Sequence, residues 1–295
     1  MTAFVRIAFA FTLVASNTLL QGTALLVLAL VKLLLPFAAV RDALSKVLVK
    51  LAESWMAVNT WLILRLTPTT IELHTAATLH REGWYLVLCN HASWVDIPVL
   101  QATTNRRIPA LRFFLKRELI FVPILGLAWW ALDFPFMKRH SRAAIEKNPA
   151  LRGQDLEATR RACERYRRLP VSVMNFVEGT RFTAAKRDAQ CSPYRYLLKP
   201  RAGGVAAVLD AMGGSLRSVL DVSIVYPTAQ PPTMLDLLAG RIGRVEVYIV
   251  ERPIPELGPG DYESDAAYRE RCQDWINGLW VEKDALIAAR REDQA

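Results

Sequence analysis

Cysteine is scarce. The chain has four in 295 residues, at positions 89, 163, 191 and 272, with no C-x-x-C pair. That spacing argues against a disulfide framework or a thiolate zinc site and fits reduced thiols in a cytosolic setting. Cys89 is one residue removed from His91, but one Cys and one His without further spaced ligands make no metal site. The chain also lacks internal repeats, low-complexity linkers and the G-x-S-x-G elbow of serine hydrolases. Charge is missing from two stretches. Residues 7–31 carry none, and residues 83–104 carry only Asp96.

What is present begins with apolar bulk. Hydrophobic residues make up 52% and charged residues 22%, which excludes a disordered chain. The net charge is +9. It divides unevenly: +3 over residues 1–82, −1 over 83–104, +13 over 105–201 and −6 over 202–295. A cationic surface built from residues 105–201 predicts an anionic partner. Nucleic acid fits poorly, because the charge is not expected to be interleaved with exposed aromatics, no known module is present and the N-terminus is apolar.

The 25 uncharged residues from Ile7 to Val31 lie between Arg6 and Lys32. They are long enough to span a hydrocarbon core. Ser16, Asn17, Thr18 and Gln21 dilute the middle, which permits two half-buried segments or a helix within one leaflet. A cleaved signal peptide fits less well, since the stretch is too long and no A-x-A site follows. Residues 33–66 read as further helix interrupted near Pro36. Lys46, Lys50 and Glu53 lie off its apolar face, and Trp55, Met56 and Trp61 suit an interfacial position, though an ordinary amphipathic helix packed on the domain fits equally well. Residues 1–67 are therefore expected to anchor the chain, and 68–295 to form the folded domain.

Past Pro68, short apolar runs alternate with helical periodicity. Strands are predicted at 71–74, 85–89, 110–115, 134–137, 171–176, 219–225 and 245–250. Helices are predicted at 97–102, 119–131, 156–168, 205–212, 234–238 and 265–291. This alternation implies an α/β domain with a mostly parallel central sheet flanked by helices. In such folds the strand ends carry function.

Two strand exits stand out. The first reads Asn90-His91-Ala92-Ser93-Trp94-Val95-Asp96. On a helix a five-residue step would splay His91 from Asp96, but a strand-to-helix turn can bring them together. A carboxylate on one imidazole nitrogen suits the other to act as a base. Equally, Ser93 and Asp96 resemble a capping box, or Asp96 caps the helix containing Pro98. The second exit reads Glu178-Gly179-Thr180-Arg181. Gly179 allows close backbone approach, and the Arg181 fork suits a phosphate. In that reading Glu178 holds the Arg or orders the turn; alternatively the segment is a surface turn with an incidental ion pair.

Together these blocks resemble the lysophospholipid acyltransferase family, the PlsC-type 1-acylglycerol-3-phosphate acyltransferases. That family carries N-H-x4-D followed downstream by E-G-T-R. Phe134–Arg139 is similar to its middle motif and Val222–Pro227 to its last strand. Leu197–Gly204 is similar to a branch that includes YihG-type bacterial inner-membrane enzymes. Val177 stands where the family often has Pro, and Lys138 where it usually has an acid. The similarity covers roughly residues 80–230.

The resemblance implies transfer of an acyl chain from acyl-CoA or acyl-carrier protein to a lysophospholipid hydroxyl. It makes His91 the base and Asp96 its orienting partner. Arg139, Glu178, Gly179, Thr180 and Arg181 would meet the acceptor, with Lys116, Lys199 and Arg201 as further substrate contacts. It implies no metal or cofactor beyond the acyl donor. It places the chain on a bacterial inner membrane, with the catalytic domain on the cytoplasmic face. A membrane-anchored lipid-binding protein without turnover is the other reading.

Overall fold

The computed structural model describes residues 3–292 except 133, 138–153, 167–169 and 229. The uncharged N-terminal run forms one continuous helix, α1 (Ala3–Leu34), not two half-segments. The chain breaks at Pro36, which lacks an N–H and biases its predecessor away from helix. It resumes as α2 (Ala38–Leu66).

Two of the polar residues that dilute α1, Asn17 and Thr18, face α2. Asn17 Nδ2 donates to Asn59 Oδ1 at 2.8 Å, and the Trp55 indole N–H donates to Thr18 Oγ1 at 3.0 Å. With those groups satisfied between the helices, Phe4, Phe11, Leu20 and Leu34 stand exposed on the outside. Both helices are long and apolar enough to cross a membrane. Glu53, expected on the solvated face of α2, is instead buried and accepts from Arg81 at 3.0 Å.

The strands are β1 (Thr70–Thr75), β2 (Trp84–Cys89), β3 (Leu111–Phe113), β4 (Leu115–Lys116), β5 (Phe136–Met137), β6 (Val171–Phe176), β7 (Ser218–Val225) and β8 (Arg244–Arg252). Six of them form one sheet in the order β1-β8-β7-β2-β6-β3, and β4 pairs with β5 separately. Among the described residues, only the β7–β8 pairing is antiparallel. This is the mostly parallel, helix-flanked sheet that the alternating pattern predicts.

β2 lies in the centre, and all its residues from Tyr85 to Cys89 are buried. Tyr85, Val87 and Cys89 join one core layer, packed with helix α3 (Asp96–Thr104). Leu86 and Leu88 join the other, packed with the helices Gln154–Tyr166, Gly203–Met212 and Ala266–Glu292. A strand covered on both faces must be apolar throughout, which explains the unbroken run Tyr85–Cys89.

Two predicted elements differ. The strand expected over 110–115 is split, because β3 joins the main sheet and β4 turns to β5. The helix expected over 119–131 is a 3-10 turn (Arg117–Phe121) and a shorter helix, α4 (Leu125–Ala131). Pro123 supplies no N–H between them, and Ile124 takes a positive φ of 64°.

Candidate active site

β2 and β6 run parallel in register, with Cys89 opposite Phe176. Their two exits therefore leave the same edge of the sheet side by side. Asn90 extends β2 by one step with its side chain. Its Nδ2 donates to Ile224 O at 3.0 Å, and its Oδ1 accepts from Ile224 N–H at 2.9 Å. That closes the exit onto β7 and fixes where the next residue starts.

His91 Nδ1 lies 2.7 Å from Asp96 Oδ2. The same oxygen accepts the Ala92 and Ser93 N–H groups at 2.8 and 2.9 Å. Asp96 Oδ1 accepts the Tyr226 hydroxyl at 2.7 Å. Asp96 thus closes the turn before α3 and holds the histidine, whereas the capping reading does not hold: the N-cap of α3 is Val95, without a side-chain cap bond, and Ser93 Oγ accepts from Val95 N–H. Its carboxylate is fully buried and surrounded by donors, the condition under which a buried charge is tolerated. With Nδ1 on the carboxylate, Nε2 is the ring nitrogen left for chemistry. The ring stacks on Phe176 with centroids 3.9 Å apart. Burial, reinforced by Asp96, raises the Tyr226 hydroxyl well above its ordinary value, so it remains a donor. Burial likewise raises the Cys89 thiol, which makes it a poor nucleophile.

The second exit forms the neighbouring wall. Gly179 sits at φ 70°, and its N–H donates to Phe176 O at 2.9 Å. A Cβ at Gly179 would lie 3.6 Å from the Arg201 side chain, an ordinary contact, so the positive φ and not a lack of room calls for glycine here. Phe182 N–H donates to His91 O at 2.7 Å and ties the two exits together.

Glu178 departs from the expected ligand-facing role. It is fully buried. Oε1 accepts the His91 N–H at 2.9 Å, and Oε2 accepts the Leu198 N–H at 2.9 Å. Burial pushes its carboxyl up to about 8, against the lowering pull of those two donors. Glu178 orders three segments of backbone and does not face a ligand.

The cations are arranged differently. The Arg181 guanidinium lies over the Trp94 ring, 4.7 Å from its centroid. Lys186 Nζ donates to Thr180 Oγ1 at 2.8 Å and to Arg181 O at 3.0 Å. Among the described residues, the Arg181, Lys186, Lys199 and Arg201 side chains have no carboxylate partner. Lys199 and Arg201 are exposed on the segment that Leu198 anchors to Glu178. Lys116 is exposed at the end of β4, in the separate two-stranded pair. Arg139 lies outside the described residues. Also among those residues, no group of three His, Cys, Asp or Glu side chains is placed to hold a metal.

Sequence reasoning passed over Tyr226, Phe176, Lys186 and Trp94. Tyr226 ends a strand run before Pro227, which gave a faint signal. Lys186 follows Thr183, the cap of the short helix Ala184–Ala189, and nothing in the sequence turns its ammonium back onto Thr180.

The family model described as Acyltransferase matches residues 70–227, which include both exits. The chain belongs to the acyltransferase family. Among its relatives is "1-acyl-sn-glycerol-3-phosphate acyltransferase 2" of Arabidopsis thaliana. It is 30% identical over 213 residues, covering 68% of this chain and 50% of the relative. The gamma form of that acyltransferase from Mus musculus is 28% identical over 179 residues, covering 58% and 43%. The matched region is thus about half the length of these relatives. The crystal structure of the 1-acyl-sn-glycerophosphate acyltransferase PlsC from Thermotoga maritima superposes with a TM-score of 0.56. It has 16% sequence identity and covers 94% of both chains, a likeness of fold. Within this acyltransferase framework, the two exits are the places where chain geometry and side-chain chemistry converge.

Proposed function

We propose that the protein transfers an acyl chain from acyl-CoA or acyl-carrier protein to the free hydroxyl of a lysophospholipid such as 1-acylglycerol-3-phosphate. The observation that carries this reading is the His91–Asp96 pair at 2.7 Å, beside cations that have no carboxylate partner among the described residues. A base next to an anion-binding turn suits a substrate with both a hydroxyl and a phosphate.

In this mechanism Nε2 of His91 takes the proton from the acceptor hydroxyl. The oxygen attacks the thioester carbonyl, a C–O bond forms and the C–S bond breaks. The departing thiolate regains the proton from the imidazolium. Asp96 stabilises that imidazolium and needs no proton of its own. A thioester is already activated, so the step calls on no metal or cofactor.

Arg181, Thr180 and the Gly179 backbone would receive the acceptor phosphate. Arg201 and Lys199 would add positive charge beside them, and Arg139 and Lys116 are proposed as outer cations for acceptor or donor phosphates. The exposed apolar face of α1 would hold the protein against a bilayer, keeping the site beside its lipid. A bacterial inner membrane, with the site on its cytoplasmic face, is the setting proposed. Residues 1–67 are proposed as the anchoring unit and 68–295 as the catalytic one.

The test is an acyl-transfer assay on purified protein with a panel of lysophospholipids and both donor types, read as released thiol and diacyl product. Phosphate-bearing acceptors should turn over and phosphate-free ones should be poor substrates. Thiol release without acyl product would sink the transfer reading.

A further inference from the structure

Trp94 is the anomaly of the first exit. Its neighbours are locked in place: Ser93 Oγ donates to Pro232 O and accepts the Val95 N–H at 2.9 Å, and both residues are buried. Between them the Trp94 side chain points outward and is 49% exposed. The core gains little from a large aromatic held rigidly there. Its described ring contact is the Arg181 guanidinium, 4.7 Å away. Among the described residues, that guanidinium has no hydrogen bond or ion pair.

A guanidinium stacked on an aromatic face keeps its in-plane N–H edges free, and those edges fork onto phosphate oxygens. Stacking also limits the plane's orientation before the ligand arrives, which reduces the ordering cost of binding. From the other side, Lys186 fixes the backbone that carries Arg181 through its bond to Arg181 O.

We propose that Trp94 is a positioning residue for acceptor selection: its indole face presets the Arg181 guanidinium to receive a terminal phosphate monoester. The proposal deepens the phosphate-gripping reading of Arg181 and rests on it. Trp94 acts through Arg181 and does not touch the reacting atoms.

The experiment measures acceptor KM, donor KM and kcat for wild type, Trp94→Leu, Trp94→Phe, Arg181→Ala and the Trp94→Leu/Arg181→Ala double variant. It uses a short-chain, water-soluble 1-acylglycerol-3-phosphate. Trp94→Leu keeps apolar bulk but loses the π face, so acceptor KM should rise about threefold to tenfold. Donor KM and kcat should stay within about twofold, since the contact reaches neither the donor nor the reacting atoms. Trp94→Phe should recover most of the loss. In the double variant, losing Trp94 should add nothing to the Arg181 effect.

The outcomes separate the two ideas. If Arg181→Ala raises acceptor KM but Trp94→Leu does not, the Trp94 proposal is overturned and the phosphate reading survives. If neither variant moves acceptor KM, both fall. A Trp94→Leu protein with normal kinetics but weaker affinity for anionic vesicles would make Trp94 a membrane contact instead, and that also overturns the proposal.

Discussion

The turns after β2 and β6 leave one edge of one sheet, yet they are finished in opposite ways. Around Asp96, four donors converge on one buried carboxylate, and the His91 ring is held by it and by Phe176. Around Thr180 and Arg181, cations lean on an indole, a hydroxyl and a carbonyl, and among the described residues no carboxylate balances them. The difference is that between a group that must not move and a group that must stay available. A base works when its geometry is fixed in advance, which saturation with hydrogen bonds achieves. An anion site works when its charge is left for the ligand.

The largest way to break this comparison is to empty the saturated turn. His91→Ala should lower kcat by about 10²- to 10⁴-fold, the range expected for loss of a general base. The fold should persist, checked by far-UV circular dichroism and thermal unfolding, because the Asn90 and Glu178 ties do not use the imidazole. Near-normal turnover in this variant would remove His91 from the chemistry.

Next in size is Tyr226→Phe. The change keeps the ring in the core and deletes one donor to Asp96. A hydrogen bond to a charged group is worth enough that kcat should fall about tenfold, with both KM values little changed. A loss confined to KM would mean that Tyr226 faces substrate.

A smaller effect tests the unsaturated turn. Exposed cations are screened by salt, and buried contacts much less so. Raising ionic strength from about 0.05 to about 0.5 M should raise acceptor KM severalfold and leave kcat nearly constant. A kcat that fell with salt while KM held would reverse the assignment of the two turns.

The strands that bracket these turns were legible from sequence because a sheet covered on both faces demands unbroken apolar runs, as in Tyr85–Cys89. The segment 119–131 was misread because its apolar periodicity continues across Pro123, and periodicity alone does not register a missing N–H. For His91, Asp96 and Arg181, types and spacing left a structural turn as an equal or better reading, and the family resemblance was what put them in one candidate site. Tyr226 was not legible, since its meaning depends on a bond to a residue 130 positions away. Glu178 shows the same limit from the other direction. Spacing placed it in the ligand-facing motif, but spacing does not say which way a side chain points at a strand exit.

Glu178 also moves the boundary between the two turns, because it belongs to the second by sequence and to the first by its bonds. That yields the subtlest prediction. Burial raises its carboxyl from the ordinary 4.5 to about 8 in the folded protein. The unfolded chain then releases this proton at lower pH than the folded chain does. Stability from the protonated form is full below about pH 4.5 and declines as pH rises towards about 8. Glu178→Gln has no such proton. Its baseline should be lower by about 1–3 kcal/mol, because an amide offers one acceptor oxygen to two N–H donors. Between pH 5 and 8, however, the wild-type melting temperature should fall more steeply than that of Glu178→Gln. Parallel profiles would mean that the two N–H donors outweigh burial and keep the carboxylate ionised throughout. The joint between the turns would then be a fixed charge, of the same kind as Asp96.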